Sequence, residues 1–296
     1  MRILLFGKNG QVGWELQRSL APLGEIIALS STSTQWCGDF SKPEGIAETI
    51  RALKPHIIVN AAAHTAVDKA ESEPELAQLI NAQTVEIIAR EAKKLNAWLI
   101  HYSTDYVFDG SGTTPWLETD ATHPLSVYGA TKRAGEAAIQ AAGCQHLIFR
   151  TSWVYGARGG NFAKTMLRLG KERERLTVID DQIGAPTGAD LLADVTAHAI
   201  RTALIRPEVS GLYHLVAAGE VSWHGYASFV LDFARNAGVP LKVNAIDPVA
   251  TSAFPTPAKR PHNSRLNTQK LQNTFNLHLP HWQAGVERML IETLEK

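Results

Sequence analysis

Short apolar runs separated by stretches of helical length set the rhythm of the first half of this chain. The runs at 2–6, 26–29, 57–60, 97–102 and 147–150 are rich in Ile, Leu, Val and aromatic side chains. They read as strands with helices between them, the longest helix spanning 74–95. Strand and helix in alternation predict an α/β fold, a doubly wound parallel sheet covered on both faces. The second half is less regular. Runs at 176–179 and 212–216 are expected to return to the sheet. The stretches 161–173, 223–236 and 284–295 read as helices, and the proline-rich 247–261 as loop. No internal repeat, low-complexity segment or long run of like charge interrupts the pattern.

The first run leads at once into Gly7-Lys8-Asn9-Gly10-Gln11-Val12-Gly13 and then into the helical pattern Trp14-Glu15-Leu16-Gln17-Arg18-Ser19-Leu20. Glycines in such a turn permit positive φ and let a phosphate approach the backbone, while the helix N-terminus aims free N–H groups and the positive dipole end at it. The spacing is Gly-x-x-Gly-x-x-Gly, not the Gly-x-Gly-x-x-Gly of the commonest dinucleotide fingerprint. Its place at the N-terminus nevertheless favours a dinucleotide pyrophosphate, in a Rossmann-type sheet. On that basis residues 1–155 are expected to form a dinucleotide-binding domain, and 156–296 a smaller substrate lobe with some chain returning to the sheet.

Ligands of such sheets lie beyond the carboxyl ends of the strands, where Ser30, Ala63 to Thr65, Ser103 to Asp105 and Thr151 to Trp153 all fall. Tyr128 and Lys132 stand four apart on one helical face. A free phenol titrates near ~10, and a neighbouring ammonium is expected to favour the phenolate and make Tyr128 a usable proton donor to a carbonyl. At the end of the second strand stand Ser30, Ser31 and Thr32, where a carboxylate would bind the ribose hydroxyls of NAD and repel an additional phosphate. NADPH is therefore admissible, with NADH tolerated, although no arginine stands there to clamp the phosphate.

Composition narrows the partners. The 296 residues carry 29 basic and 29 acidic side chains, so no net field draws the chain to nucleic acid or to an anionic membrane. A small-molecule partner is expected instead. No apolar stretch approaches the ~20 residues of a membrane span, and the cytoplasm is the expected compartment. Cys37 and Cys144 lack metal or redox spacing and read as reduced thiols. The 11 histidines form no zinc pattern.

Four longer blocks sharpen the reading: Ser103-Thr104-Asp105-Tyr106-Val107-Phe108-Asp109-Gly110, Arg150-Thr151-Ser152-Trp153-Val154-Tyr155-Gly156, Asp181-Gln182-Ile183-Gly184-Ala185-Pro186-Thr187 and Arg260-Pro261-His262-Asn263-Ser264-Arg265-Leu266. In this order they resemble the signature blocks of the dTDP-4-dehydrorhamnose reductases, within the extended short-chain dehydrogenase/reductase superfamily. The resemblance covers nearly the whole chain. It implies NAD(P)H-dependent reduction of the 4-keto group of dTDP-4-dehydro-L-rhamnose to dTDP-L-rhamnose, a step that serves lipopolysaccharide biosynthesis. By the same resemblance Tyr128 protonates the sugar oxygen, Lys132 tunes the phenol and holds the nicotinamide ribose, and Thr104 hydrogen-bonds the carbonyl. Asp105 orients the sugar, Trp153 offers it a flat face, and Arg260 meets the diphosphate. Asp39 and Phe40 line the adenine, Ala63, His64 and Thr65 pass near the ribose and pyrophosphate, and Tyr102 lies towards the nicotinamide. Some relatives bind magnesium at a subunit contact, which makes Glu15, with Asp190, the metal candidate and leaves a homodimer open.

Two other readings remain at this level. One is a reductase, epimerase or dehydratase of another nucleotide-linked keto-sugar. The other is a non-catalytic regulatory subunit like those that accompany methionine adenosyltransferase, against which the intact Tyr128 and Lys132 argue.

Overall fold

A computed structural model describes residues 1–294. Its centre is a six-stranded parallel sheet built from β1 (Arg2–Phe6), β2 (Glu25–Leu29), β3 (Ile57–Asn60), β4 (Trp98–Thr104), β5 (His146–Thr151) and β6 (Gly211–His214). Their order across the sheet is β6-β5-β4-β3-β1-β2. Every residue of β3 and β4 is buried, because helices cover both faces of the sheet. The order reverses between β1 and β3, and the loops after those two strands part there to leave a crevice.

One face carries Ile3, Leu5, Ile57, Ile100 and Phe149, packed on the helices Gln11–Leu20 and Ala189–Ile205. The other carries Leu4, Phe6, Ile58, Leu99 and Ile148 against Pro43–Leu53 and Thr84–Leu95. The predicted return of 212–216 is realised as β6 beside β5. The predicted return of 176–179 is not: Arg175–Ile179 pairs in parallel with Ala245–Val249 in a separate two-stranded sheet. The second of those strands lies partly in the stretch read as loop, since Asp247 and Pro248 at its exposed edge disguise it.

Three expected helices keep their places as Phe162–Glu172, Trp223–Asn236 and Trp282–Leu294, with Glu295 outside the described residues. The helix expected over 74–95 is broken into Pro74–Gln78, a π-helical turn Leu79–Gln83, and Thr84–Leu95. Phe162 packs with Tyr226, Trp282 and Leu290 in a second core, built from residues 153–294. Among the described residues no helix is long and apolar enough to cross a membrane. Cys37 and Cys144 are free thiols, and burial pushes the second up to about 11.

Candidate active site

The glycine turn follows from two close approaches. Gly7 has φ +88°, and a Cβ there would lie 2.6 Å from the Ala61 carbonyl carbon. A Cβ on Gly13 would meet the Gly7 oxygen at 2.0 Å. Gly10 differs: it is exposed, caps the helix Gln11–Leu20 with no side chain, and its Cβ would meet nothing closer than 3.5 Å. The first two glycines are demanded by packing. The third leaves the N–H groups of the first helical turn open to an anion, which is what a pyrophosphate requires.

Two adjoining cavities share Gly10, Ala61, Ala62, Ala63 and Thr65. One, of about 390 Å³, is lined by Gly7, Ser30, Asp39 and Phe40 among others. The other, of about 440 Å³, reaches Gln11, Val12, Tyr102, Thr104, Asp105, Tyr128, Lys132 and Trp153. All the expected cofactor and catalytic residues therefore lie along one path except Gly13, inside the turn, and His64. The His64 backbone is held by Asn81, while its ring turns to Glu73 at 3.5 Å.

Tyr128 and Lys132 are carried by the helix Val127–Ala142. Ser126 caps it by accepting from the Gly129 amide, and Gly143, at φ +63°, ends it in the left-handed conformation. Lys132 is buried and donates to the Tyr102 carbonyl at 2.6 Å and to His101 Nε2 at 3.3 Å. His101 is in turn joined to Asn60 at 3.0 Å. Burial keeps this imidazole neutral, so in the tautomer with its proton on Nδ1 the Nε2 lone pair accepts a hydrogen bond from the lysine, which keeps its own charge.

The expected tuning of the phenol by the ammonium is not seen here. Burial raises Tyr128 to about 12, opposed by a hydrogen bond with Thr104, and Lys132 is not among the groups that shift it. Burial also lowers Lys132 to about 8, with Glu136 one turn along pulling the other way. The result is a phenol held protonated next to a still largely cationic lysine at neutral pH.

Thr104 ends β4 and does two jobs. Its Oγ1 accepts from the Tyr106 amide as a cap, and donates to Asp105 Oδ1 at 3.1 Å. Asp105 is pushed up to about 6 by burial, which outweighs its hydrogen bonds from Ser264 and Thr104. Its Oδ2 is buried and unpartnered. Trp153 sits at φ +50° with its ring stacked on Trp223, 3.6 Å between centroids. Both rings line the larger cavity as a flat apolar wall.

Other expectations are not met by the geometry. Arg260 does not line either cavity: it grips Asp68 through Nη1 and Nη2 at 3.1 and 2.7 Å. The Tyr102 ring points into the sheet core, where its hydroxyl meets Thr196 at 2.6 Å, so only its carbonyl serves the site. Glu15 faces Arg18 at 3.3 Å. Among the described residues no group of three or more His, Cys, Asp or Glu could hold a metal, so the magnesium expectation finds no support in the chain.

Sequence reading missed Asn81, His101, Glu136 and Trp223. Glu136, on the tyrosine helix, takes a bidentate contact from Arg150 at 2.8 and 2.7 Å and a 2.5 Å bond from Ser103, all buried. A glutamate four residues after Lys132 on a helix otherwise rich in alanine was the available signal.

Known proteins resemble the chain over its whole length. The family model described as the RmlD substrate binding domain matches residues 1–295. A dTDP-4-dehydrorhamnose reductase of Escherichia coli K12 is 68% identical over 99% of this chain and 98% of that protein. A reductase of the same name from Burkholderia thailandensis is 46% identical, with 97% of each covered. Among solved structures, a dTDP-4-dehydrorhamnose reductase of Bacillus anthracis in complex with NADP superimposes with a TM-score of 0.88 at 36% identity over 99% of both chains.

Proposed function

The chain belongs to the RmlD substrate binding domain family, and from that premise we propose that it is an NADPH-dependent reductase of the 4-keto group of dTDP-4-dehydro-L-rhamnose, giving dTDP-L-rhamnose. One observation carries the reading: a single path of cavity runs from Ser30 past Gly10 to Tyr128, Lys132 and Thr104 and ends at the Trp153–Trp223 wall. A dinucleotide fits the first part and a nucleotide-linked sugar the last. A bound reduced nicotinamide would supply the hydride.

The residues do the rest. Tyr128 stays protonated at neutral pH because its burial raises the phenol, so it enters the reaction as the acid that protonates the developing alkoxide. Thr104, whose hydroxyl proton goes to Asp105 here, turns that proton to the same oxygen when substrate binds and holds the carbonyl beside the phenol. Lys132, braced by the Tyr102 carbonyl and neutral His101, presents its remaining N–H to the nicotinamide ribose. Asp105 accepts from a sugar hydroxyl through its free Oδ2. Trp153 stacks on the sugar or base. Arg260 takes the diphosphate only by leaving Asp68, so its part is the orientation of the 258–260 segment.

The test is direct. The protein supplied with NADPH and dTDP-4-dehydro-L-rhamnose should consume one for the other and yield dTDP-L-rhamnose, identified by chromatography against a standard. Tyr128→Phe should fold and bind NADPH as the wild type does, yet lose about two to four orders of magnitude in kcat, the usual weight of a general acid. Product without net NADPH consumption would point to an epimerase or dehydratase instead, and near-native turnover in the variant would remove Tyr128 from the mechanism.

A further inference from the structure

The end of β2 shows how the chain selects its cofactor without the arginine that the sequence lacks there. Gly7 and Lys8 both donate their amides to the Leu29 carbonyl, at 2.9 and 3.1 Å, so the glycine turn lies directly on the end of β2. Lys8 thereby comes alongside Ser30. An open trough of about 800 Å³ follows this edge of the sheet, lined at its upper end by Lys8, Asn9, Ser30, Thr32 and Ser33. Ser30 and Asn9 also line the smaller of the two site cavities, so the trough opens from the place where the adenosine ribose is assigned.

The chemistry there suits a phosphate dianion. The Ser30 hydroxyl is 3.2 Å from that of Thr32 and 3.4 Å from that of Ser33, three donors that turn together. Lys8 is half-buried, and among the described residues its ammonium has neither ion pair nor hydrogen bond. The carboxylate nearest in the chain that lines the neighbouring cavity, Asp39, is turned to Ser41 and Lys42. Arg2, the other cation of the trough, is spent at the far end of β1 on Glu25 and the Leu53 carbonyl. A free cation beside a hydroxyl cluster attracts an extra phosphate, and a cluster of hydroxyls also accepts two ribose hydroxyls without repulsion.

We propose that Lys8 is the specificity residue for NADPH, its ammonium pairing with the 2′-phosphate of the adenosine ribose while Ser30, Thr32 and Ser33 hydrogen-bond the phosphate oxygens. This rests on the dinucleotide reading of the cavities. The test is calorimetric titration of wild type, Lys8→Met and Lys8→Arg with 2′,5′-ADP, 5′-AMP, NADP⁺ and NAD⁺. In Lys8→Met the Kd for both 2′-phosphorylated ligands should rise by about tenfold or more while 5′-AMP and NAD⁺ change by less than about twofold, and Lys8→Arg should restore most of the difference. The wild-type preference should also shrink as salt is raised. Equal weakening of all four ligands, or of none, overturns the assignment and leaves the dinucleotide reading standing. A wild type that binds no member of the set overturns both.

Discussion

At neutral pH Tyr128 is in the neutral form that burial favours, while Lys132 and Asp105 carry charges that burial opposes, and the pH dependence follows from that. Lys132, lowered to about 8, loses its charge above that pH and with it a donor to the ribose. Asp105, raised to about 6, gains a proton below that pH and ceases to accept from the sugar. A bell-shaped kcat/KM with limbs near 6 and 8 is expected, and Asp105→Asn should abolish the acid limb while lowering the plateau. The stability effect of Asp105 has the opposite sign to that of an ordinary paired carboxylate. Its folded value lies above its unfolded one, so the native state binds the proton more tightly and loses stability as pH rises from about 4 to about 6. A shift of roughly two units amounts to about 3 kcal/mol, present in full above pH 6. Urea unfolding should therefore find Asp105→Asn no less stable than wild type at pH 7, though it is far less active. A variant clearly destabilised at pH 7 would mean that the carboxylate is favourably held.

At the scale of elements the telling piece is the π turn Leu79–Gln83. The periodic pattern of 74–95 predicts an unbroken helix because apolar spacing reports which face is buried, not which carbonyl each N–H reaches. The widened turn brings Asn81 against two parts of the site. Its Nδ2 donates to Thr131 on the tyrosine helix and to the His64 carbonyl, both at 3.1 Å, and its Oδ1 accepts from the His64 amide at 2.8 Å. Gly135 lets the tyrosine helix cross here, since a Cβ would lie 2.3 Å from the Asn81 backbone carbonyl oxygen. Asn81→Ala should leave buried groups on both neighbours unpaired, costing about 1–3 kcal/mol. Because it loosens the 63–65 loop and not the reacting atoms, KM for NADPH should rise more than kcat falls, and steady-state kinetics at fixed substrate decide it. A pure kcat effect would place Asn81 nearer the chemistry. The main strands were legible because each is a buried apolar run, as in β3 and β4. Ala245–Val249 was not, since its pairing with Arg175–Ile179 at the surface needs no such run. Lys8 escaped for a related reason: glycine spacing treats it as a spacer, and only the contact of the turn with Leu29 brings it to the ribose end.

For the whole molecule the question is whether a division near residue 155 marks two units that could live apart. Chain order suggests so, but one core contains residues from both sides: Leu5, Leu16, Leu20, Ile100 and Phe149 pack with Leu192, Val195, Ile200 and Tyr213. The later segment supplies the edge strand β6, registered on β5 from Gly211 opposite Leu147 to His214 opposite Arg150, and the helix Ala189–Ile205 that lies on Gln11–Leu20. Leu271, Phe275 and Leu279 join the same core from still farther along. A chain ended at 155 would leave a wide apolar face and an unpaired strand edge in water, and such surfaces drive association rather than folding. The later segment has a core of its own around Tyr226 and Trp282, yet the strand and helix that join its parts are pledged to the sheet. We expect calorimetry of the full chain to show one cooperative transition, with a calorimetric enthalpy equal to the van't Hoff value, and fragment 1–155 to be insoluble or to unfold without cooperativity. A soluble fragment with a sharp transition and retained NADPH binding would show instead that the returning strand and helix are additions to a sheet already stable without them.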